Sequence, residues 1–532
     1  MVAAQSGVTG RSKLALARGL SALDSHSQDI LIVLGLLALF GFVHRRVEVV
    51  EFGGDAVEKW QFVRQWWFHF DWAHADLDHH CGRMGVNGVA WLAQALFGRG
   101  WKAYYVAPFF MAMLQLPFVY LIGKRVMNRL AGVLGVLLIT YLATVHRSTS
   151  QLLPDGFGGT YAIISTYFYL RFAESAQKNP KVLPVGMAIG AFGAYLAKET
   201  CVFFFPGMVI ALWLVRRNWR DVAAFLGLLF AGLLLETALY ASFTKYSSRY
   251  AVVRSVHGAD GIWQQVKFVE LFDRFAHLHD GWKYLLFFSL ASGLWLLVLN
   301  GHARAAGQAL AIIGFSQVFF LTFMVRGFNP VELWESFEPR YIEPFTPFAA
   351  LITGAFLAHV LATLWNQGAW WKGAAQYGPT QQRFVALWAL GSLLLVASAG
   401  RALTVVDAKP SGVAQGEELA RMTTNTYERG LPVAEHRRGK TRMLELLYDV
   451  YLDDRLLARA GRLPNLPEAT SYERGFTYFV KSPTSYGPGK FSQLLTAGCV
   501  LEASRVRREY QLSSWDPLPA KCDNLLRGAP QQ

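Results

Sequence analysis

Asp55 follows two glycines in EFGGDAVEKW, a setting suited to proton transfer. The Gly53–Gly54 pair permits a sharp backbone turn that would present the carboxylate at a surface where a phosphate could sit. A base that removes a proton from an acceptor hydroxyl must be a carboxylate or an imidazole held within hydrogen-bond reach. The local sequence alone favours the plainer alternative, an Asp capping the helix that follows. Asp155, in QLLPDGFGG, poses the same choice between a helix cap and a second acid facing the same cavity. Glu51, Glu58 and Glu199 are further acids open to that second role. The run His74, Asp76, Asp78, His79, His80 and Cys81 has the ligand types for a divalent metal. Its spacing matches no compact zinc motif, which favours a structural or phosphate-contacting role. Arg83 follows directly, and a protonated His80 or Arg83 would offset charge on a departing phosphate. Lys198, in AYLAKET, and Arg340 with Tyr341, in EPRYIEPFTP, supply further groups for gripping a phosphate.

The elements that must position these residues are membrane helices. Of the 532 residues, 53% are hydrophobic, 14% aromatic and only 17% charged, and the mean hydropathy is +0.25, a balance that soluble domains rarely show. Apolar runs recur at Ile30–Val43, Tyr104–Ile122, Leu130–Ala143, Phe157–Leu170, Val182–Ala197 and Val202–Val215. They continue at Val222–Phe243, Tyr284–Leu299, Ala309–Val325, Pro347–Trp365 and Phe384–Gly400. Against the roughly 20 residues that cross a bilayer, these predict an α-helical polytopic membrane protein of about 11 transmembrane helices. The first run follows a polar stretch with Arg11, Lys13 and Arg18 and reads as a membrane helix rather than a signal peptide. Trp60, Trp66, Trp67, Phe68 and Phe70, set among charges, suit interfacial helices in the first outer loop, with a loop packed on its own bundle as the alternative.

Lys and Arg collect in alternate connections: the N-terminus, Lys124–Arg125 with Arg129, Lys178 with Lys181, Arg216–Arg217 with Arg220, and Lys372 with Arg383. The positive-inside rule makes those cytoplasmic and leaves the acid-rich loops on the outer face of a cell inner (plasma) membrane. An odd number of spans then carries residues 406–532 to the periplasmic or extracellular side. Alternating stretches such as GFTYFVKSP predict a small C-terminal α/β soluble domain there, after a membrane domain over residues 1–405. Cys499 and Cys522 both fall in that tail, where an oxidising compartment would allow a disulfide. The net charge of +14 follows from orientation and contact with membrane lipids, and gives no reason to expect nucleic acid.

In their order, GGDAVEKW, HHCGRMGVNGVAWLAQALFG, YLIGKRVMNRLAGVLGVLL, LPDGFGGTYAIISTYFYLRF, AYLAKET and EPRYIEPFTP resemble the class C glycosyltransferases. The likeness is to the branch that includes protein O-mannosyltransferases and the lipid A aminoarabinose transferase, and it covers roughly residues 28 to 405. The resemblance implies a one-step inverting transfer of sugar from a polyprenyl-phosphate carrier to a hydroxyl of a lipid, glycan or protein acceptor, with Asp55 as the base. It implies no certain cofactor. A divalent ion (Mg, Mn or Ca) would have Asp55, His79 and His80 as its candidate ligands. Where the branch often carries an Asp-Glu pair, this chain has Asp55–Ala56, so the assisting acid stays open among Glu51, Glu58, Asp155 and Glu199. A transporter or flippase for a lipid-linked or anionic substrate would share the hydropathy, but its usual internal repeat is not visible here.

Overall fold

The computed structural model describes residues 25–47, 56, 59–60, 62–63, 82–98, 101–174, 182–252, 263–267, 280–298, 304–323, 325–328, 331–334, 339–366, 433–436, 468–469, 477–481 and 510–514. Helices α1 (Ser25–Val47), α2 (Met84–Phe97), α3 (Trp101–Val126), α4 (Arg129–Thr140), α5 (Ala143–Thr149) and α6 (Pro154–Glu174) come first. They are followed by α7 (Val182–Ala197), a 3₁₀ turn (Glu199–Phe203), α8 (Phe204–Arg216) and α9 (Trp219–Phe243). The last are α10 (Asp280–Val298), α11 (Arg304–Thr322), a second 3₁₀ turn (Pro339–Phe345) and α12 (Thr346–Asn366).

The predicted apolar runs fall on these helices, except Phe384–Gly400, which lies outside the described residues. Among the described residues, six helical segments are long and apolar enough to cross a membrane: His26–Arg45, Ala103–Val126, Glu199–Arg216, Trp219–Phe243, Ala305–Thr322 and Tyr341–Leu361. Two runs were read too long. Leu130–Ala143 stops as a helix at Thr140, and its 12 residues rise only about 18 Å. Ala309–Val325 ends as a helix at Thr322, because Val325 opens a strand.

The bundle is held by close backbone contacts as well as by side chains. A Cβ on Gly123 would strike the backbone at Gly132, and one on Gly354 would strike that at Gly135, so α3 and α12 both lie directly against α4. One end of the bundle is cationic. Asp29 of α1 accepts bonds from Lys124, Arg129 and Tyr120, Arg125 lies 5.3 Å over the Tyr167 ring, and Arg216 lies 4.7 Å over Phe172. Tyr167 and Phe172 belong to the C-terminal half of α6. Asp155 sits at the opposite end of that helix, about 25 Å away at 1.5 Å per residue.

The connections carry structure that hydropathy did not disclose. Strands β1 (Trp263–Val266), β2 (Val325–Phe328) and β3 (Val331–Trp334) form an antiparallel sheet of order β1-β3-β2, joining the loop after α9 to the loop after α11. In the tail, β4 (Val433–His436), β5 (Glu468–Ala469), β6 (Thr477–Lys481) and β7 (Tyr510–Ser514) form a mixed sheet of order β5-β4-β6-β7. Strand β6 is the alternating stretch of GFTYFVKSP. Cys499 and Cys522 lie outside the described residues. Cys201, in the first 3₁₀ turn, is a buried free thiol.

At Trp60 the first loop follows the alternative reading, a loop packed on its own bundle: that residue is fully buried. Its carbonyl accepts a bond from Gln94 Nε2 at 3.1 Å, and its ring meets Tyr104 edge-on at 5.5 Å. Ala56 and Lys59 are buried beside it, so the chain directly after Asp55 is anchored on α2 and α3. Trp66, Trp67, Phe68 and Phe70 are outside the described residues. An outward apolar face does exist on α2, where Trp91, Leu92, Leu96 and Phe97 are exposed.

Candidate active site

Helix α7 ends where Lys198 breaks into extended backbone (φ −145°, ψ 125°), after its N–H has bonded Ala194 C=O at 2.9 Å. The break carries the side chain off the helix toward the first turn of α6. There Lys198 Nζ lies 3.3 Å from Asp155 Oδ1, with side-chain exposures of 3% and 0%. Tyr341, from the second 3₁₀ turn, covers the ammonium with its ring centroid 3.9 Å from Nζ. Glycines on α6 admit both neighbours. A Cβ on Gly158 would come within 2.5 Å of Cys201 Sγ, and one on Gly159 within 3.0 Å of Pro344 C=O. Asp155 lies within the first turn of α6, after Pro154, and its side chain serves the ion pair, so the helix-cap reading does not hold.

Glu199 begins a second, adjoining set. Arg83, at the N-cap of α2, donates through Nε and Nη2 to its two carboxylate oxygens, both at 3.4 Å. Arg249, in the segment after α9, donates from Nη2 to Glu199 Oε1 at 2.7 Å and from Nη1 to Tyr195 C=O at 2.9 Å. Its Nη1 also lies 3.6 Å from Glu236 Oε1. Burial works against the charge on Arg249, but the Glu199 and Glu236 carboxylates outweigh it and raise the guanidinium above its ordinary range. Arg249 is therefore the structural partner that Glu236, an acid in an apolar run, calls for. Tyr240, one turn further along α9, donates to Gly82 C=O at 3.0 Å and pins the chain beside Arg83.

Two voids adjoin these groups. A cavity of about 30 Å³ between α3, α5, α6 and the second 3₁₀ turn has a mostly apolar lining with Gln115, Ser148, Thr160 and Glu343 among its polar members, room for about two waters. An apolar groove of about 490 Å³ is walled by Val202, Phe203, Phe205, Val209, Leu226 and Phe320, and begins within one 3₁₀ turn of Lys198. Leu226 and Phe320 are part-exposed, so the groove opens on the bundle's lipid-facing side.

Lys198, Tyr341 and Asp155 thus form one contact set, and Arg83 with Glu199 the next, joined through the Lys198–Glu199 peptide. Asp55, Glu51, Glu58, His79 and His80 are outside the described residues, as is the Arg340 side chain, although Arg340 precedes Tyr341 in the same turn. Among the described residues, no three His, Cys, Asp or Glu side chains converge as a metal site would need. Arg249 was missed in the sequence, where Lys245, Arg249 and Arg254 look alike and only the burial of Glu236 signals that a cation must come to it.

Residues 84–240 match the family described as dolichyl-phosphate-mannose-protein mannosyltransferase. No curated protein matches. The chain is similar to ArnT from Cupriavidus metallidurans, crystallised in the apo state, with a TM-score of 0.53, 13% identity, and coverage of 96% of this chain and 100% of that one. It is more distantly similar to the apo oligosaccharyltransferase of Archaeoglobus fulgidus (TM-score 0.44, 12% identity, covering 83% and 62%) and to arabinosyltransferase EmbB of Mycobacterium smegmatis (0.41, 17%, covering 71% and 40%). The chain has the class C glycosyltransferase fold in a membrane protein.

Proposed function

We propose that this chain, with the class C glycosyltransferase fold as its frame, moves a sugar from a polyprenyl-phosphate carrier to an acceptor hydroxyl on the outer face of the inner membrane. The observation that carries the reading is Lys198: a buried ammonium paired with Asp155 under the Tyr341 ring, next in the chain to the Glu199 that binds Arg83, and one 3₁₀ turn from a lipid-facing apolar groove. A polyprenyl phosphate has those two parts, a charged head and an apolar tail. The matched family's description likewise names a lipid-phosphate sugar donor.

In this reading Asp55 takes the proton from the acceptor hydroxyl as its oxygen attacks the anomeric carbon. The bond from that carbon to the phosphate oxygen breaks, and the electron pair leaves with the phosphate. Lys198 and Arg83 stabilise the charge that then develops, while Tyr341 shields the ammonium from water. Asp155 holds Lys198 in place. The cationic rim of Lys124, Arg125, Arg129 and Arg216 lies at the other end of α6, and by the positive-inside rule this supports reading the site as outer-facing. The about 11-span topology and a soluble tail over the cavity mouth that selects the acceptor complete the proposal.

The test is release of free polyprenyl phosphate from a polyprenyl-phosphate sugar by the purified protein, coupled to glycosylation of an acceptor mixture and read by mass spectrometry. Movement of the intact lipid across proteoliposomes without bond cleavage would support a flippase instead and refute the enzyme.

A further inference from the structure

We infer that Arg249 is a positioning residue for the carrier phosphate, acting through Glu199 rather than on the ligand. This rests on the donor reading above. Two acids, Asp155 and Glu199, stand where a phosphate anion would be bound, and Glu199 is the one shared between two guanidiniums. The sharing is unequal. Arg249 Nη2 is 2.7 Å from Glu199, whereas Arg83 is 3.4 Å from each oxygen. Glu199 is therefore satisfied chiefly from behind, by a residue that is itself 3% exposed. Arg249 is in turn braced by the Tyr195 carbonyl, by Glu236 and by the Tyr195 ring, whose centroid is 5.1 Å from Cζ. With its hydrogen bonds directed into the protein, Arg249 has no reach toward a ligand.

What it does is withdraw the Glu199 charge. Remove it, and the carboxylate loses its short partner and turns to Arg83, a cation a phosphate needs. The same segment also fixes the backbone there. A Cβ on Gly82 would meet Tyr240 Oη at 2.6 Å and Arg249 Cγ at 3.7 Å, so Arg83 is held against α9 and the residues that follow it. Glu236 and Tyr240 are four residues apart on one face of α9, and they act on Arg249 and on Gly82 respectively.

The experiment compares full-length protein with Arg249→Met, Arg249→Lys, Glu199→Gln and the Arg249→Met/Glu199→Gln double variant. Binding of a short-chain polyprenyl phosphate and of the corresponding uncharged polyprenol is measured in detergent, with melting temperature followed alongside. Arg249→Met should weaken the phosphate at least about 10-fold and leave the polyprenol unchanged, the size of effect expected when a charge-assisted contact is lost. Removing the competing carboxylate in the double variant should restore phosphate binding to within about 3-fold, and Arg249→Lys should fall between, since a point charge replaces a fork. The double variant also removes the carboxylate left without its short partner, so it stays informative if Arg249→Met fails to fold. Equal loss of both lipids, or a double variant as weak as Arg249→Met, overturns the inference and leaves the donor reading standing. Unsubstituted protein that does not prefer the phosphate over the polyprenol overturns the donor reading, and this inference with it.

Discussion

Replacing Lys198 by Met tests whether the buried ammonium serves the reaction or merely Asp155. The single substitution leaves the Asp155 carboxylate, at 0% exposure, without the cation 3.3 Å away. Breaking a buried pair from one side costs about 3–5 kcal/mol, a large part of the roughly 5–15 kcal/mol that holds a protein folded. Lost activity in Lys198→Met is therefore ambiguous. The Lys198→Met/Asp155→Asn double variant removes both charges, and an amide left unpaired costs only about 1–3 kcal/mol, so much of the lost stability should return. Transfer should not return with it. Loss of one fixed group aimed at developing charge costs about 2.7–4 kcal/mol of barrier, or roughly 10²–10³ in rate. The assay pairs a detergent thermal melt with the rate of polyprenyl-phosphate release at saturating acceptor. If the double variant regains stability and near-normal turnover together, Lys198 is only a structural counter-ion and the leaving-group assignment is wrong.

Asp55→Asn keeps size and polarity but removes the base, and turnover should drop by about 10²–10⁴ in a protein whose melting is unchanged; near-normal turnover would reject Asp55 as the base. Gly158→Ala places a Cβ 2.5 Å from Cys201 Sγ and 3.5 Å from Lys198 Cβ. Overpacking of that kind costs about 1–3 kcal/mol in a thermal melt, and Cys201→Ala in the same chain should recover most of it by vacating the space. His146, in the short helix α5, has its imidazole pushed down to about 4 by burial, against which its bond to Thr140 C=O works only in part. The unfolded chain takes up this proton below about pH 6.5 and the native protein does not until about pH 4, so stability is full above that window and falls as pH drops through it, by up to about 3 kcal/mol. Melts between pH 7.5 and 4.5 should show the decline, and His146→Gln should flatten it.

The membrane helices were legible because about 20 apolar residues in a row have few other uses, and their ends blurred because hydropathy does not mark where a backbone turns. Lys198–Glu199 was legible for a related reason: charge set in an apolar stretch is expensive and must have a partner. Sequence names the debtor and not the partner. Nothing in AYLAKET says that Lys198 reaches Asp155 across two helices, or that Glu199 faces the other way to Arg83 and Arg249. The glycines of DGFGG admit close approach, but which backbone arrives is a matter of tertiary packing. The assembled charges do show where a ligand would compete. Arg83, Glu199, Arg249 and Glu236 alternate in sign, so the ions inside this run have an opposite charge on each side. The interior Glu199–Arg249 contact is short, at 2.7 Å. The contacts of Arg83 and Lys198 with their carboxylates are longer, at 3.4 and 3.3 Å. Those looser pairs are the ones an arriving phosphate can displace at least cost.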